Sequence, residues 1–331
     1  MRFEWSIDGD TARYLTTKME KSNGTEPSDE EMRKLLKPAP TTDQVLDALH
    51  KSFVGGEGPS TVTLVRELES YDDRNYWVEI SGTPYLAKVH NGVESQDFIK
   101  LWKEESAYER SVIHLQNVLM EHLCSHGIST SKPVKPVSKT NEVLPTAAAI
   151  HSLPVVSAKH SPCDLVVRLL HWVPGSTMES KTLLPLETLV DAGRFLGNLS
   201  NKLNLLDADS LPASKRYHQW DGKNTLGLKN FVQYIKDDSK RDMIESILSA
   251  FQQDIIDSGV SESFENALIH GDFNDANVLV DDDFRISGVL DFGDSVQRYV
   301  WTTKRFLSDF YRLNSSCFVR RRLIIKLESL A

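Results

Sequence analysis

Apolar positions along this chain follow two periods, and the change from one to the other divides it. In "TTDQVLDALHKSFV", Val45, Leu46, Leu49 and Phe53 recur at three- and four-residue spacing. That predicts a short amphipathic helix with Thr42 as its N-cap. "STVTLVREL" (60–68) is β-branched and strand-like, "SYDD" (70–73) turns the chain, and "NYWVEI" and "YLAKV" alternate around a Gly-containing turn. Together they predict a β-hairpin with Lys88 near the end of its second strand. A helix is expected over 98–126, stopping at Gly127. Residues 130–150 read as an interrupted, Pro-containing strand region, and "LVVRLLHWVPG" (165–175) as an apolar strand broken by Pro-Gly. Beyond it the period becomes helical, with Leu189, Leu196, Leu199, Leu203 and Leu206 in one stripe and Ile244, Ile247, Leu248, Phe251 and Ile255 in another. The chain is therefore strand-rich first and helix-rich second. Residues 1–40 are polar and expected to be poorly ordered.

Composition narrows the class. The 331 residues are 40% hydrophobic and 26% charged, ordinary for a globular chain of two lobes. A net charge of −9 argues against a nucleic-acid or anionic-membrane binder, both of which need a basic face. Three scattered cysteines suggest no disulfide framework and a reducing compartment. With no secretory signal at the N-terminus and no apolar run of membrane-spanning length, the expected location is cytoplasmic.

The candidate chemistry sits in "ALIHGDFNDANVLVDDDFRISGVLDFGD" (267–294). Asp272 precedes Asn277 by five residues, a short strand comes next, "DDDF" turns, and a second strand delivers Asp291. Phosphoryl transfer from a nucleotide needs a carboxylate for the acceptor hydroxyl, hard oxygen ligands for Mg²⁺, a cation on the phosphates and a hinge for the base. Asp272 suits the first role, Asn277 and Asp291 the second, Lys88 the third. The spacing matches the kinase pattern H-R-D-x-x-x-x-N…D-F-G, with Gly271 in place of the Arg.

These residues, with "LAKV", are similar to the aminoglycoside phosphotransferase/choline kinase family, over about residues 42–298. The resemblance implies an α+β, two-lobed protein-kinase-like fold, with a small antiparallel sheet N-lobe (41–170) and a mainly helical C-lobe (171–298). It implies Asp272 as catalytic base, Asn277 and Asp291 as Mg²⁺ ligands, and Lys88 on the α/β-phosphates. "SYDD" would cover the phosphates through Ser70 and backbone N–H groups, and the backbone around Leu169–Trp172, including His171, would hold the base. The helix Glu that pairs with the strand Lys in kinases is replaced by Gln116, with Glu105 or Glu109 as fallbacks. "SYDDRNYWV", "VVRLLHWVPG" and "LDFGD" are similar to the branch of the family that phosphorylates the side-chain hydroxyl of 5-hydroxylysine with GTP. ATP as donor, and homoserine, choline or an aminoglycoside as acceptor, keep the same chemistry. The last 33 residues are basic and carry no resemblance, which suggests a shortened C-lobe or a nucleotide-binding variant without turnover.

Other motifs have plainer readings. "GGEG" (55–58) lacks a P-loop pattern and reads as a loop. His122, Cys124 and His126 read as a helix end rather than a zinc site. "FVRRRLIIKL" reads as a solvated tail, and His270 as a structural residue beneath the catalytic loop. Trp220 could line the acceptor site or the core, and Asp294 could meet a substrate ammonium or stabilise a turn.

Overall fold

The computed structural model describes residues 29–54, 61–103, 108–137, 149–153, 163–218 and 221–299. "GGEG", Glu105, Trp220 and residues 300–331 lie outside these. The chain forms two compact units. One contains residues 27–216 and 270–296; the described part of the other is built from 217–269 and 297–299.

The first unit is organised on a five-stranded antiparallel sheet. Its strands are Val62–Leu68 (β1), Arg74–Ile80 (β2), Thr83–Val89 (β3), Ala149–Leu153 (β4) and Cys163–His171 (β5), in the order β1-β2-β3-β5-β4. The expected hairpin is β2–β3, closed by Ser81 and Gly82 with φ of 51° and 79°. Both central residues lie in the left-handed region, as the twist of a two-residue hairpin turn favours. Alternation along the strands separates two faces. Tyr76, Val78, Ala87, Val89, Leu165, Val167 and Leu169 pack with Leu36, Val45, Leu49 and Phe53 in one buried cluster. The opposite face carries Asn75, Lys88 and Arg168, which are cross-strand partners in register.

Two helices cover the apolar face: Asp29–Leu35 (α1) and Thr42–Leu49 (α2), the latter continued by a π-turn over His50–Val54. α1 falls where the sequence predicts a poorly ordered segment. The N-cap of α2 is Thr41, not Thr42. The Thr41 hydroxyl accepts from Gln44 N–H, and the Gln44 side chain accepts from Thr41 N–H. Only this register puts a Gln at the third helical position and closes a capping box.

The helix expected over 98–126 is two helices, Gly92–Lys103 (α3) and Val112–Ser125 (α4). Ser111 starts the second by accepting from His114 N–H at 3.1 Å, a break that periodicity alone does not register. Gly127, at φ 80°, ends α4 as expected. Leu186–Leu203 (α5) buries Thr188, Ala192, Leu196, Leu199 and Leu203, so the predicted stripe is displaced at its N-terminal end. His122 Nε2 lies 2.9 Å from the Lys202 carbonyl and joins α4 to α5, which makes it a helix-packing residue.

Three short strands complete this unit: Ser176–Thr177 (β6), Val278–Val280 (β8) and Ile286–Val289 (β9), in the order β6-β8-β9. In the other unit Asn266–Ile269 (β7) pairs with Val296–Tyr299 (β10). Its main helix is Asp238–Phe251 (α6), capped by Asp237 accepting from Lys240 N–H. Of the apolar stripe predicted there only Leu248 is buried, and Ile247 is 52% exposed. Among the described residues no helix is long and apolar enough to cross a membrane.

Candidate active site

The loop at 270–277 is built from its backbone outward. His270 is buried, its Nε2 2.9 Å from the Leu290 carbonyl and its Nδ1 3.3 Å from Asp272 N–H. The second contact makes Nδ1 an acceptor, so Nε2 carries the proton and donates to Leu290. Burial holds His270 below the ordinary histidine range, which keeps it neutral. It is thus a strut between the loop and the end of β9, packed edge-on against Phe273 and Phe292. Gly271 has φ 88°, and a Cβ there would strike the Asp294 carbonyl. This explains the departure from the kinase pattern: no side chain fits between the two loops.

Asp272 is the next residue. Its carboxylate accepts from Asn274 Nδ2 at 2.8 Å and from Asn277 Nδ2 at 2.8 Å. Asn277 Nδ2 also donates to the Asp272 carbonyl at 2.9 Å. Asn274 Oδ1 accepts from the N–H groups of Ala276 and Asn277, closing a tight turn that the sequence reading did not single out. Burial raises the Asp272 carboxyl above its ordinary range, the charges of Asp294 and Asp291 raise it further, and the two amides only partly offset this.

The β8–β9 hairpin brings Asn277 to Asp291. Val278 faces Val289 and Leu279 faces Gly288. Leu290 N–H donates to the Asn277 carbonyl at 2.8 Å, extending the ladder one step beyond the named strands. The turn is tied by Asp281 Oδ1, which accepts from the N–H groups of Asp283 and Arg285. Asp291 has φ 58°, and its Oδ1 accepts from Gly293 N–H at 3.0 Å. Arg216 pins the segment after it, donating to the Gly293 carbonyl at 2.7 Å and the Ser295 carbonyl at 2.6 Å. The Asn277 amide nitrogen is engaged by Asp272 and one Asp291 oxygen by Gly293, which leaves an amide oxygen and a carboxylate oxygen on neighbouring positions. That is a hard-oxygen donor set of the kind Mg²⁺ takes.

Lys88 sits on the sheet face away from the apolar cluster. The charge of Lys88 lowers the Asp291 carboxyl, more than burial raises it. Burial alone would lower Lys88, but the carboxylates of Asp73 and Asp291 outweigh it and hold the amine well above the ordinary lysine range. The direct partner of Lys88 is Asp73, 2.8 Å away, with both side chains largely buried. This partner comes from the "SYDD" turn. The other Asp73 oxygen accepts from Asn91 N–H at 2.7 Å.

Gln116 does face this region, but its amide oxygen accepts from Arg168 Nη2. Arg168 is 1% exposed, and also donates to Asn117 Oδ1 at 2.8 Å and to His90 Nε2 at 2.7 Å. Burial pulls its guanidinium down to about 10, still a cation at neutral pH. With Nε2 accepting, His90 is neutral, consistent with its burial, and gives its Nδ1 proton to Glu94 at 3.0 Å. Asp73, His90 and Glu94 come within 4.8 Å of one another. Lys88, Asn91, Arg168 and Arg33 already occupy them, so the cluster is an internal charge network.

Of the expected carboxylate fallbacks, Glu109 is exposed on a 3₁₀ turn. Asp73, Glu94 and Arg168 were not singled out by the sequence reading. Arg168 stands inside an apolar strand, and "SYDD" reads as a turn that covers the phosphates through Ser70 and backbone N–H groups. A charged residue amid "VVRLL" was the available signal, since such a residue is buried only when paired.

The remaining expected positions are distributed differently. Ser70 lies in the β1–β2 turn, where Lys37 Nζ reaches the carbonyls of Ser70 and Tyr71 at 3.5 and 2.5 Å. Leu169 points into the apolar cluster, and its carbonyl accepts from Val134 N–H at 2.8 Å. His171 N–H donates to the Lys132 carbonyl at 2.8 Å. These two backbone groups are therefore committed to the 132–134 segment. Past them, Trp172 stacks on Trp77 of β2 at 5.3 Å between centroids, with the Arg66 guanidinium 5.2 Å over Trp77.

This geometry places a carboxylate, an amide and a second carboxylate on one loop and hairpin, with the charge of Lys88 acting on the last. The chain belongs to the phosphotransferase enzyme family, which it matches over residues 64–301. Among its curated relatives it is 26% identical over 269 residues to hydroxylysine kinase of Xenopus laevis and 27% identical over 265 residues to hydroxylysine kinase of Danio rerio. Each comparison takes in 78% of this chain and 66% of the relative, so the chain spans about two thirds of their length. A solved structure, the GDP complex of wild-type aminoglycoside 2'-phosphotransferase-IIIa, is similar with a TM-score of 0.47 and 15% identity, over 80% of this chain and 82% of that one.

Proposed function

We propose that this protein transfers the γ-phosphate of a nucleotide to the hydroxyl of a small molecule, with 5-hydroxylysine as acceptor and GTP as donor (ATP being the other candidate). The observation that carries the reading is the hydrogen bond of Asn277 to Asp272 together with the backbone bond that ties Asn277 to Leu290, the residue before Asp291, whose carboxyl the charge of Lys88 lowers. The acceptor and donor are taken from the hydroxylysine kinase relatives and from the sequence resemblance.

The geometry suggests the roles. Asp272 is oriented by Asn274 and Asn277, and its raised carboxyl suits a group that takes a proton from a hydroxyl. Asn277 and Asp291 would hold Mg²⁺, which supplies charge neutralisation at the phosphates when bound. Lys88 remains a cation throughout the neutral range and binds the phosphate oxygens. Arg216 and His270 keep the Asp291 loop in register with the catalytic loop. Little covalent help is needed, because a loose phosphoryl transition state is served mainly by positioning and charge.

The test is phosphate transfer by the purified chain with Mg²⁺, GTP or ATP, and 5-hydroxylysine, lysine or homoserine. The expected result is turnover with 5-hydroxylysine, none with lysine, and loss by at least ~10²-fold in Asp272→Asn. Turnover unaffected by Asp272→Asn would remove Asp272 from the mechanism. Transfer to homoserine but not to 5-hydroxylysine would reassign the acceptor.

A further inference from the structure

In a kinase-type site the phosphate-binding lysine is usually steered by a glutamate on the helix behind the sheet. Here α4 presents Gln116, and Gln116 is engaged by a buried guanidinium rather than by Lys88. A carboxylate at that position would be drawn to Arg168 just as the amide is. The lysine is steered from the other side. Asp73 gives one oxygen to Lys88 at 2.8 Å and the other to Asn91 N–H at 2.7 Å, so both ends of the carboxylate are fixed. Asn91 is itself held, its side chain donating to the carbonyls of Arg33 at 2.8 Å and Asp72 at 3.1 Å. Asp72 pairs with Arg33 at 2.7 Å. The turn between β1 and β2 is thus bolted to α1 and to the start of α3, and its last carboxylate lies against Lys88.

The geometry points to Asp73 as the positioning residue for Lys88, replacing a helix carboxylate, with the Arg168–Gln116 pair freeing α4 from that role. The assignment rests on the reading of Lys88 as the phosphate-binding lysine, but the contact itself is independent of it. The charged groups that act on Lys88 are Asp73, Asp291, Arg168 and, by its effect on Glu94, that carboxylate as well. Asp73 is the one in direct contact. This gives the β1–β2 turn a second task. Besides its expected place over the phosphates, it sets the lysine proposed to bind them.

The test uses the full chain and has an arm that needs no turnover. Lys88 is acetylated with limiting acetic anhydride from neutral to strongly alkaline pH and quantified by peptide mass spectrometry. In the native chain it labels slowly. Asp73→Asn keeps an oxygen for Asn91 N–H but removes the charge, and is expected to raise Lys88 labelling at a given pH by roughly an order of magnitude. Gln116→Ala is expected to leave it within about twofold, well below such a shift. The reverse pattern overturns the assignment whatever the enzyme's activity. In phosphate transfer, Asp73→Asn is expected to lower kcat at least ~10-fold with the acceptor KM within about twofold, the signature of lost positioning rather than lost binding. Asp73→Glu keeps the charge but moves it by one methylene. It should protect Lys88 from labelling yet lose turnover; full turnover in Asp73→Glu would overturn the positioning role. If the native chain turns over no acceptor while labelling shows the expected pattern, the kinase reading fails, and what stands is that Asp73 holds Lys88.

Discussion

Around Asp272 two forces oppose each other. Burial and the neighbouring charges of Asp294 and Asp291 disfavour its ionised form, while two side-chain amides favour it. The repulsions win, so the carboxyl lies above its ordinary range, and the base form is lost at a higher pH than for an isolated aspartate. Asp294 is the larger of the two repelling charges. Replacing it by Asn removes that repulsion and lowers the Asp272 carboxyl. The acidic limb of the kcat/KM–pH profile is therefore expected to move to lower pH in Asp294→Asn, with the alkaline side unchanged. A limb that stays in place would mean that Asp272 is not the group titrating. Arg168 poses a different problem, that of a cation with almost no solvent. Its three acceptors are His90, Asn117 and Gln116, all buried. Arg168→Met removes the donor and strands them, and is expected to cost on the order of 3–5 kcal/mol in urea unfolding, as for breaking other buried charge networks. A loss within ~0.5 kcal/mol, the range of ordinary surface changes, would show the network to be without weight.

At the scale of elements, the loop at 270–277 and the segment after the β8–β9 hairpin are placed by two backbones that meet closely. Gly271→Ala places a methyl against the Asp294 carbonyl at a φ that L-residues rarely adopt. The expected outcome is a folded protein of lower stability, by at least ~1 kcal/mol from strain alone, with kcat reduced far more than acceptor KM. Unchanged kcat would mean that the two loops tolerate separation. The hairpin makes a second prediction. Chelation of Mg²⁺ is expected to weaken nucleotide binding by the native chain, and Asp291→Asn to weaken it comparably and to abolish the response to chelator. Nucleotide titrations with and without chelator check this, and a variant that still responds fully would place the ion elsewhere. These elements were legible in the sequence because their information is local. Asp272, Asn277 and Asp291 are linked by two short strands and a turn, and the spacing alone predicts their meeting. The β2–β3 hairpin was legible for the same reason. The partner of Lys88 was not. Asp73 reaches it across the hairpin, and Arg168 takes Gln116 from 52 residues away along the chain, so neither pairing leaves a periodic mark. The split of α3 from α4 was hidden because Ser111 interrupts a run whose apolar spacing continues on both sides. On α6 the spacing indicated a face but carried no information on what, if anything, covers it.

The first compact unit is fastened at its N-terminal edge in a way that ties stability to the site. Leu36 is buried among the residues of α2 and of β2, β3 and β5, and its carbonyl accepts from Gly92 N–H at 3.0 Å. Pro38 gives its carbonyl to Arg74 at 3.0 Å. Arg33 and Lys37 reach the β1–β2 turn through Asp72 and the carbonyls of Ser70 and Tyr71. One short segment thus closes the apolar cluster on one side and holds the turn beside Lys88 on the other. A chain beginning at residue 28 keeps all of these contacts, and one beginning at residue 41 loses them. The shorter chain is expected to be less stable by at least ~2 kcal/mol, the cost of exposing one buried leucine and its surroundings. The part-buried ion pairs of Arg33 with Asp72 and Glu94 add to that difference, by an amount that solvent screening reduces. The functional effect should be distinct from the stability effect. Measured well below the melting temperature of the shorter chain, nucleotide KM should rise while the acceptor KM is unchanged, since the lost contacts hold the turn on the nucleotide side. Parallel unfolding and steady-state measurements on the two chains separate the outcomes. Equal stability would mean that Leu36 is dispensable to the core, and equal nucleotide KM would mean that the turn keeps its place without α1.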